Sequence, residues 1–294
     1  MSFIPQPTSD GSYTFFSAEF EQTFHSLRGA KEEAQEKFIR PCQLAETAKH
    51  RSQLKILDIC YGLGYNSAAA LETIWQINPN CEVILIGLES DRSVLQATTE
   101  YHLLDPWLPP IPQLLTTLAQ QEVLDSSHFK AQLWVGDARQ TIEAVIQQDF
   151  RADAIFLDPF SPPQCPQLWS VEFLALVAQC LDDKGRLATY SCAAAMRTAL
   201  RLAGLYYTST MGMNRRSTVA SWNPQDLSPL SQLDQEHQQT RAAIPYRDPH
   251  LDGTTEAILA RRQQEQRHSN LETTSQWRKR WRKQAASESE IVGN

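Results

Sequence analysis

Residues 56–66 read Ile-Leu-Asp-Ile-Cys-Tyr-Gly-Leu-Gly-Tyr-Asn. An apolar run ends in an acid, Asp58. A Gly-x-Gly turn follows at Gly62 and Gly64, and the spacing of apolar residues predicts a helix over Ser67–Ile77. A strand, a glycine turn and a helix in this order open an α/β unit, and glycines at the turn let a ligand lie against the backbone. A plain strand-to-helix connection has the same look, so the surrounding sequence must decide between them.

Working outward, short apolar runs alternate with helical patterns from residue 54 to residue 222. Strands are expected at Lys55–Ile59, Glu82–Leu88, Gln132–Val135, Ala154–Leu157, Arg186–Tyr190, Leu205–Thr210 and Thr218–Trp222. Further helices are expected at Thr141–Gln148, Glu172–Leu181 and Ala193–Leu202, with Gly204 where a helix C-cap belongs. This alternation predicts an α/β, Rossmann-like fold on a mostly parallel sheet. Asp105–Pro112 holds four prolines and breaks the pattern, as a surface insertion would. The organisation read here is an N-terminal segment (1–50) with a charged helix over Ala30–Ile39, a sheet domain (51–222), and a C-terminal extension (223–294). Within the extension, 223–253 has linker-like composition, Glu256–Gln266 looks helical, and the run WRKRWRK at 277–283 precedes a polar end expected to be disordered.

Four acids, Asp58, Glu89, Asp137 and Asp158, each fall just after a predicted strand. A parallel sheet gathers such positions along one edge, where ligands of these folds bind. Asp58 lies four residues before Gly62, where S-adenosylmethionine enzymes keep an acid. Ser67 stands where a dinucleotide fingerprint wants its third glycine, which counts against a nicotinamide or flavin cofactor. Glu89 ends the run Val83–Leu88 and can accept hydrogen bonds from both ribose hydroxyls. Asp137, after Gly136, stands where an acid accepts from an adenine amine. Each also has a bland reading, as a solvated strand end or a turn. Together they suit a cationic sulfonium better than a phosphate-bearing cofactor.

The chain has 294 residues, 41% hydrophobic and 21% charged, with a formal charge of -7. That is enough apolar material for a core, and too acidic for a surface wholly devoted to nucleic acid, so RNA contacts must be local. The six cysteines form no C-x-x-C pair and no histidine cluster accompanies them, so no metal is expected. With no signal peptide and no membrane-spanning run, a cytoplasmic protein with reduced thiols is expected.

Asp158-Pro159-Phe160-Ser161-Pro162-Pro163 resembles the Asp-Pro-Pro-aromatic motif of enzymes that methylate exocyclic amines. A neutral amine must aim its one lone pair at a methyl carbon, and a carboxylate beside a backbone carbonyl can fix that aim. The bland reading is a rigid turn with a solvent-facing acid. Beyond this motif, residues 10–38, LDICYGLGYN, GLES, VGDAR, 153–181 and 185–204 resemble, in order, the methyltransferase part of the MnmC-type tRNA wobble-uridine enzymes; FLDPFSPPQCPQLWS is the most specific piece. The likeness covers about residues 8–222. It implies S-adenosylmethionine-dependent methylation of the amine of 5-aminomethyl-(2-thio)uridine in tRNA. It also implies cofactor contacts at Asp58, Gly62, Gly64, Glu89 and Asp137, amine positioning by Asp158, and a place near the cofactor for Phe24, His25 and Ser26. Asp158-Pro159 departs from the Asp-Gly of bifunctional members. Those members also carry a flavin oxidase domain for which this chain is too short, which implies either an amine made by another route or a separate flavin oxidase acting upstream.

Arg215, Arg216, Arg261, Arg262 and the WRKRWRK run are candidates for phosphate contacts, with Phe160 at the substrate and Trp277 or Trp281 available to stack on a base. A solvated helix face is the competing reading of the C-terminal run. Two other functions stay open: a methyl- or aminopropyl-transferase acting on a small free amine, and a non-catalytic RNA-binding protein on the same fold.

Overall fold

The computed structural model describes residues 3–211 and 216–292, with side chains to residue 283. Two antiparallel hairpins open the chain, β1 (Gln6–Pro7) with β2 (Tyr13–Thr14) and β3 (Phe16–Ser17) with β4 (Gln22–Thr23). Helix α1 (Ala30–Ala34) runs on as a π-helical turn over Gln35–Ile39, and α2 (Leu44–Ala48) follows. The body is an eight-stranded sheet of β5 (Gln53–Ile59), β6 (Glu82–Glu89), β7 (Val123–Asp125), β8 (Phe129–Val135), β9 (Ala152–Leu157), β10 (Leu181–Thr189), β11 (Tyr206–Met211) and β12 (Arg216–Ser221). Its order is β11-β12-β10-β9-β5-β6-β8-β7. The five strands β10, β9, β5, β6 and β8 pair in parallel, while β7 and β12 run against their neighbours. From β5 the chain steps outward to β6 and β8, then returns to β9 on the other side of β5. The crevice for a ligand therefore lies beyond the carboxyl ends of β5 and β9.

The central strands are apolar on both faces because helices cover both. Leu54 and Ile56 of β5, Val83 and Leu85 of β6, and Ala154 and Phe156 of β9 enter one core with α3 (Tyr65–Ile77), α4 (Arg92–Glu100) and α5 (Ile111–Gln121). Their neighbours Leu57, Ile59, Ile86, Leu88, Ile155 and Leu157 enter the other, with α6 (Ala138–Gln147), α7 (Val171–Gln179) and α8 (Ala194–Leu202). This is the period-two alternation of a strand sandwiched between two helical layers. Each large side chain so buried contributes roughly 1.5–3 kcal/mol.

The expected strands and sheet-domain helices are present with ends shifted by a few residues. Strand β7 and helices α4 and α5 carried no clear pattern. Asp105–Pro112 lies on the surface at Asp105 and over residues 108–110, but it is anchored: Trp107 is buried against Tyr65 with ring centroids 6.0 Å apart, and Pro110 leads directly into α5. No helix of the described residues is long and apolar enough to cross a membrane.

The extension contains α9 (Gln232–His237), α10 (Thr255–His268) and α11 (Thr274–Val292). Its first part has the composition of a linker yet packs like a wall. Tyr246 and Ile258 join the second core, and Ser170 bridges to Tyr246. Arg197, buried in the first turn of α8, donates to Asp234 at 2.8 Å, to Thr218 at 3.1 Å and to Ser209 at 2.6 Å. Asp234 also accepts from Arg216 at 2.8 Å and from Ser231 at 2.9 Å. Trp277, read as free to stack on a base, is instead buried against His237 with ring centroids 5.0 Å apart, and the polar end continues α11.

Asp234 is the acid on which two guanidinium groups converge. Its replacement by alanine leaves Arg197 buried without a counter-charge, so Asp234→Ala is expected to cost about 3–5 kcal/mol. Arg216→Ala, which removes a half-exposed partner, should cost under about 1 kcal/mol. Urea unfolding midpoints check both; equal midpoints for Asp234→Ala and the parent would mean that the extension merely drapes over the sheet.

Candidate active site

A cavity of about 570 Å³ opens at the carboxyl edge of the sheet. Gly62, Glu89, Asp158 and Phe160 line it, so four residues singled out in the sequence meet there. The N-terminal segment supplies the opposite wall through Phe20, Phe24, His25, Glu33 and Lys37.

The glycine turn builds the floor. Cys60, Gly62 and Gly64 all take positive φ (65°, 55° and 77°), a run that reverses the backbone tightly after β5. A Cβ on Gly64 would come within 2.5 Å of the Tyr61 hydroxyl, so the position excludes any side chain. The Gly62 amide donates to Glu89 Oε2 at 2.8 Å, and the Asp91 amide donates to Oε1 at 2.9 Å. Glu89 thus sits at the end of β6 with its carboxylate held open to the cavity. Burial raises its pKa, against those backbone hydrogen bonds, which lower it.

Asp58 stands behind the turn, fully buried and outside the cavity lining. Its Oδ2 accepts from Ser67 at 2.7 Å, and its Oδ1 has no partner among the described residues. Burial, with Glu89 adding to it, pushes Asp58 up to about 7. Asp137 is also outside the cavity lining. It caps α6 and forms an ion pair with Arg139 at 2.7 Å, and Arg139 in turn reaches Asp248 at 2.8 Å. Arg216 is engaged with Asp234 as described, and Arg215 lies outside the described residues.

Asp158 follows β9 and accepts from the Asn66 side-chain amide at 2.9 Å. Burial pushes it far above the usual carboxylate range, and the negative charges of Glu33 and Asp58 push the same way. Phe160 stacks on Phe20 at 4.3 Å and meets Phe24 edge-on at 5.2 Å. The backbone of this loop is pinned: Tyr190 Oη donates to the Pro159 carbonyl at 2.9 Å, and Trp169 Nε1 donates to the Phe160 carbonyl at 2.9 Å. Gln22 Nε2 reaches Ser161 Oγ at 2.6 Å, tying the N-terminal hairpin to the same loop. Glu33 pairs with Lys37 at 2.5 Å and accepts from the Ser26 amide at 2.7 Å. His25 stacks on Tyr65 at 5.1 Å, and burial lowers it to about 4, so it is neutral near pH 7.

Asn66, Tyr190, Glu33 and Lys37 were not singled out as site residues. Glu33 and Lys37 had a faint signal, an acid and a base four apart on a predicted helix. Nothing local marks Tyr190, which reaches the site only through sheet order.

Desolvation pushes the cavity's carboxyls Glu89 and Asp158 toward their protonated forms, and a cation beside them favours their ionised forms, so this cavity fits a ligand carrying positive charge. The ribose of such a ligand would be met by Glu89, and its close approach to the backbone by Gly62.

Residues 103–223 match the profile of a family described as S-adenosyl-L-methionine-dependent methyltransferase. The chain is similar to an uncharacterized protein of Methanocaldococcus jannaschii, 31% identical over 87% of this chain and 70% of that one. It is 27% identical to the tRNA 5-methylaminomethyl-2-thiouridine biosynthesis bifunctional protein MnmC of an Acidovorax strain, over 74% of this chain and 36% of that protein. It thus spans about a third of the length of the bifunctional relatives. Among solved structures, MNMC2 from Aquifex aeolicus superposes with a TM-score of 0.80 at 30% identity, covering 91% of this chain and 86% of that one.

Asp58 gives a pH signature. Its carboxyl titrates near 7 when folded and near 3.8 when unfolded, so the folded state holds the extra proton between those values. Its contribution to stability is therefore present at low pH and lost as pH rises through about 7. Asp58→Asn should raise the melting temperature of the cofactor-free protein more at pH 8 than at pH 5. A difference that is flat over that range would show that Asp58 is not held protonated.

Proposed function

The chain belongs to the S-adenosyl-L-methionine-dependent methyltransferase family represented by the MnmC methyltransferase domain, and on that premise we propose that it methylates the primary amine of 5-aminomethyl-(2-thio)uridine at the wobble position of tRNA. The product of that reaction is 5-methylaminomethyl-(2-thio)uridine. The protein is a methyltransferase, and its cofactor is S-adenosyl-L-methionine. The observation that carries the amine reading is the placement of Asp158. A half-buried carboxyl held by Asn66 opens into the same cavity as Glu89, on a loop pinned by Tyr190, Trp169 and Gln22.

Glu89 would hold the ribose hydroxyls, and the turn at Gly62 and Gly64 would accept the cofactor against its backbone. Asp58 would shape that turn through Ser67 and contribute negative potential. Asp137 would serve the adenine end through the loop that it caps. When bound, the cofactor supplies an electrophilic methyl group on a positively charged sulfur.

The remaining chemistry belongs to the protein. A primary ammonium has no free lone pair, so a proton must leave before the nitrogen can attack. Asp158, pushed above the ordinary range, is a stronger base than an exposed carboxylate and can accept an N–H from the amine. Asn66 fixes the direction of its Oδ2, and the lone pair is thereby held in line. Proton loss to water remains open to the substrate, which makes Asp158 a positioning acceptor first and a proton sink second. Phe160, braced by Phe20 and Phe24, offers an aromatic surface at the mouth for the base. In this reading the amine is made upstream, by a flavin oxidase acting on the same tRNA.

Two substitutions separate cofactor from substrate. Glu89→Ala should weaken S-adenosylmethionine binding about 10- to 100-fold, as loss of charge-assisted hydrogen bonds requires. Calorimetric titration reads this directly, and parent-like affinity would leave Glu89 a merely structural residue. Asp158→Ala should keep cofactor affinity within a few-fold but lower single-turnover methyl transfer to aminomethyl-uridine tRNA by at least about tenfold. Asp158→Asn should lose less, since its amide oxygen still accepts one N–H. Turnover near the parent's in the alanine variant would remove Asp158 from the chemistry.

A further inference from the structure

We propose that the exposed face of α11 is a phosphate-binding ridge for the substrate RNA, formed by Arg278, Lys279, Arg282 and Lys283. The inference rests on the reading of RNA as substrate and adds where the RNA docks. The four cations sit at i, i+1, i+4 and i+5, which places them on one face of the helix, one turn apart. All four are exposed, and none has an ion-pair partner among the described residues. With Ser275 they line one shallow concavity of about 500 Å³.

Two arguments point to an anion as the occupant. Like charges one turn apart repel each other along a helix, and three such pairs among the four cations (278 with 282, 279 with 283, 279 with 282) have no counter-charge among the described residues. Among the described residues, the acids that contact α11, Glu236 and Glu272, are both engaged by Arg280. The chain carries a net -7, so a concentrated cationic face is a local feature, not the tenor of the surface. A strand of closely spaced phosphates complements a row of such cations.

The fold also puts the ridge on the active-site side. Arg216 begins β12, and β12 runs against β10, so Arg216 lies at the carboxyl edge where β10 ends. Asp234 of α9 binds Arg216 and Arg197 there. Trp277 of α11 stacks on His237 at the other end of α9 and donates to Glu236 at 3.3 Å. Helix α11 is therefore anchored, through α9, to the sheet edge that holds the cavity. Its cations can hold the backbone of an RNA whose target nucleotide enters the cavity, and they read no base.

The test is the variant R278A/K279A/R282A/K283A, which removes the repelling pairs and adds good helix formers, so folding is preserved. Fluorescence anisotropy with unmodified total tRNA is measured at several KCl concentrations. S-adenosylmethionine affinity and methylation of the free nucleoside 5-aminomethyluridine are measured beside it. The ridge predicts at least a tenfold loss of tRNA affinity near 100 mM salt and a salt slope shallower by about two to three units, with the cofactor and nucleoside readouts unchanged. A parent that binds tRNA with the same affinity and slope as the variant overturns the ridge and leaves the wobble-uridine reading standing. A parent that binds no tRNA at all overturns both. Loss of binding to phosphatidylserine vesicles with tRNA binding intact would assign the face to a lipid surface and also overturn the proposal.

Discussion

The hydrogen bond from the Gly62 amide to Glu89 joins the ends of two adjacent parallel strands, and the site is arranged around it. It requires β5 to finish in a turn of positive φ, which is why glycine recurs there. It requires β6 to finish in a carboxylate one strand away. Once it forms, the turn cannot relax toward the sheet, the first turn of α3 is aimed, and Asn66 and Ser67 on that turn face Asp158 and Asp58. A single short bond thus sets the spacing between Glu89 and Asp158 across the cavity.

Desolvation supplies the second organising force. Asp58, Glu89 and Asp158 are all driven toward their protonated forms by burial, and Lys37, the lysine that lines the cavity, is bound to Glu33. Folding such a cluster is costly, and a cationic occupant returns part of that cost. Binding and stability are therefore linked through the same groups.

The sheet was legible because its signal is local. Runs such as Val83–Leu88 are apolar at every position, and acids at their ends mark the carboxyl edge without any knowledge of contacts. Asp58, Gly62, Gly64, Glu89 and Asp158 could be named for that reason. What stayed hidden depends on long-range packing. Residues 223–253 look like a linker because most of their buried members are polar: Asp234, Thr240 and Asp248 are held by ion pairs and hydrogen bonds, and the buried apolar residues beside them, Ala243 and Tyr246, are too few to set a period. Trp277 and its basic neighbours read as one RNA-binding run, yet the helix turns the tryptophan inward, ties Arg280 to Glu236 and Glu272, and leaves Arg278 and Arg282 outward. Tyr190 and Lys37 come from opposite ends of the fold, and no spacing could have paired them.

The cavity's wall over Asp158 is made by residues near the start of the chain. Gln22 meets Ser161 across 139 positions of sequence, and Phe20 stacks on Phe160 across a comparable distance. Closing so wide a loop is entropically expensive and yields nothing until both ends are in place. During synthesis the first hairpins must wait, unpartnered and with aromatic rings exposed, until β9 and its proline-rich loop have emerged. The cavity is therefore among the last parts of the molecule to exist, and a ribosome-bound chain that already carries the Gly-x-Gly turn has the cavity's floor but no enclosure around it.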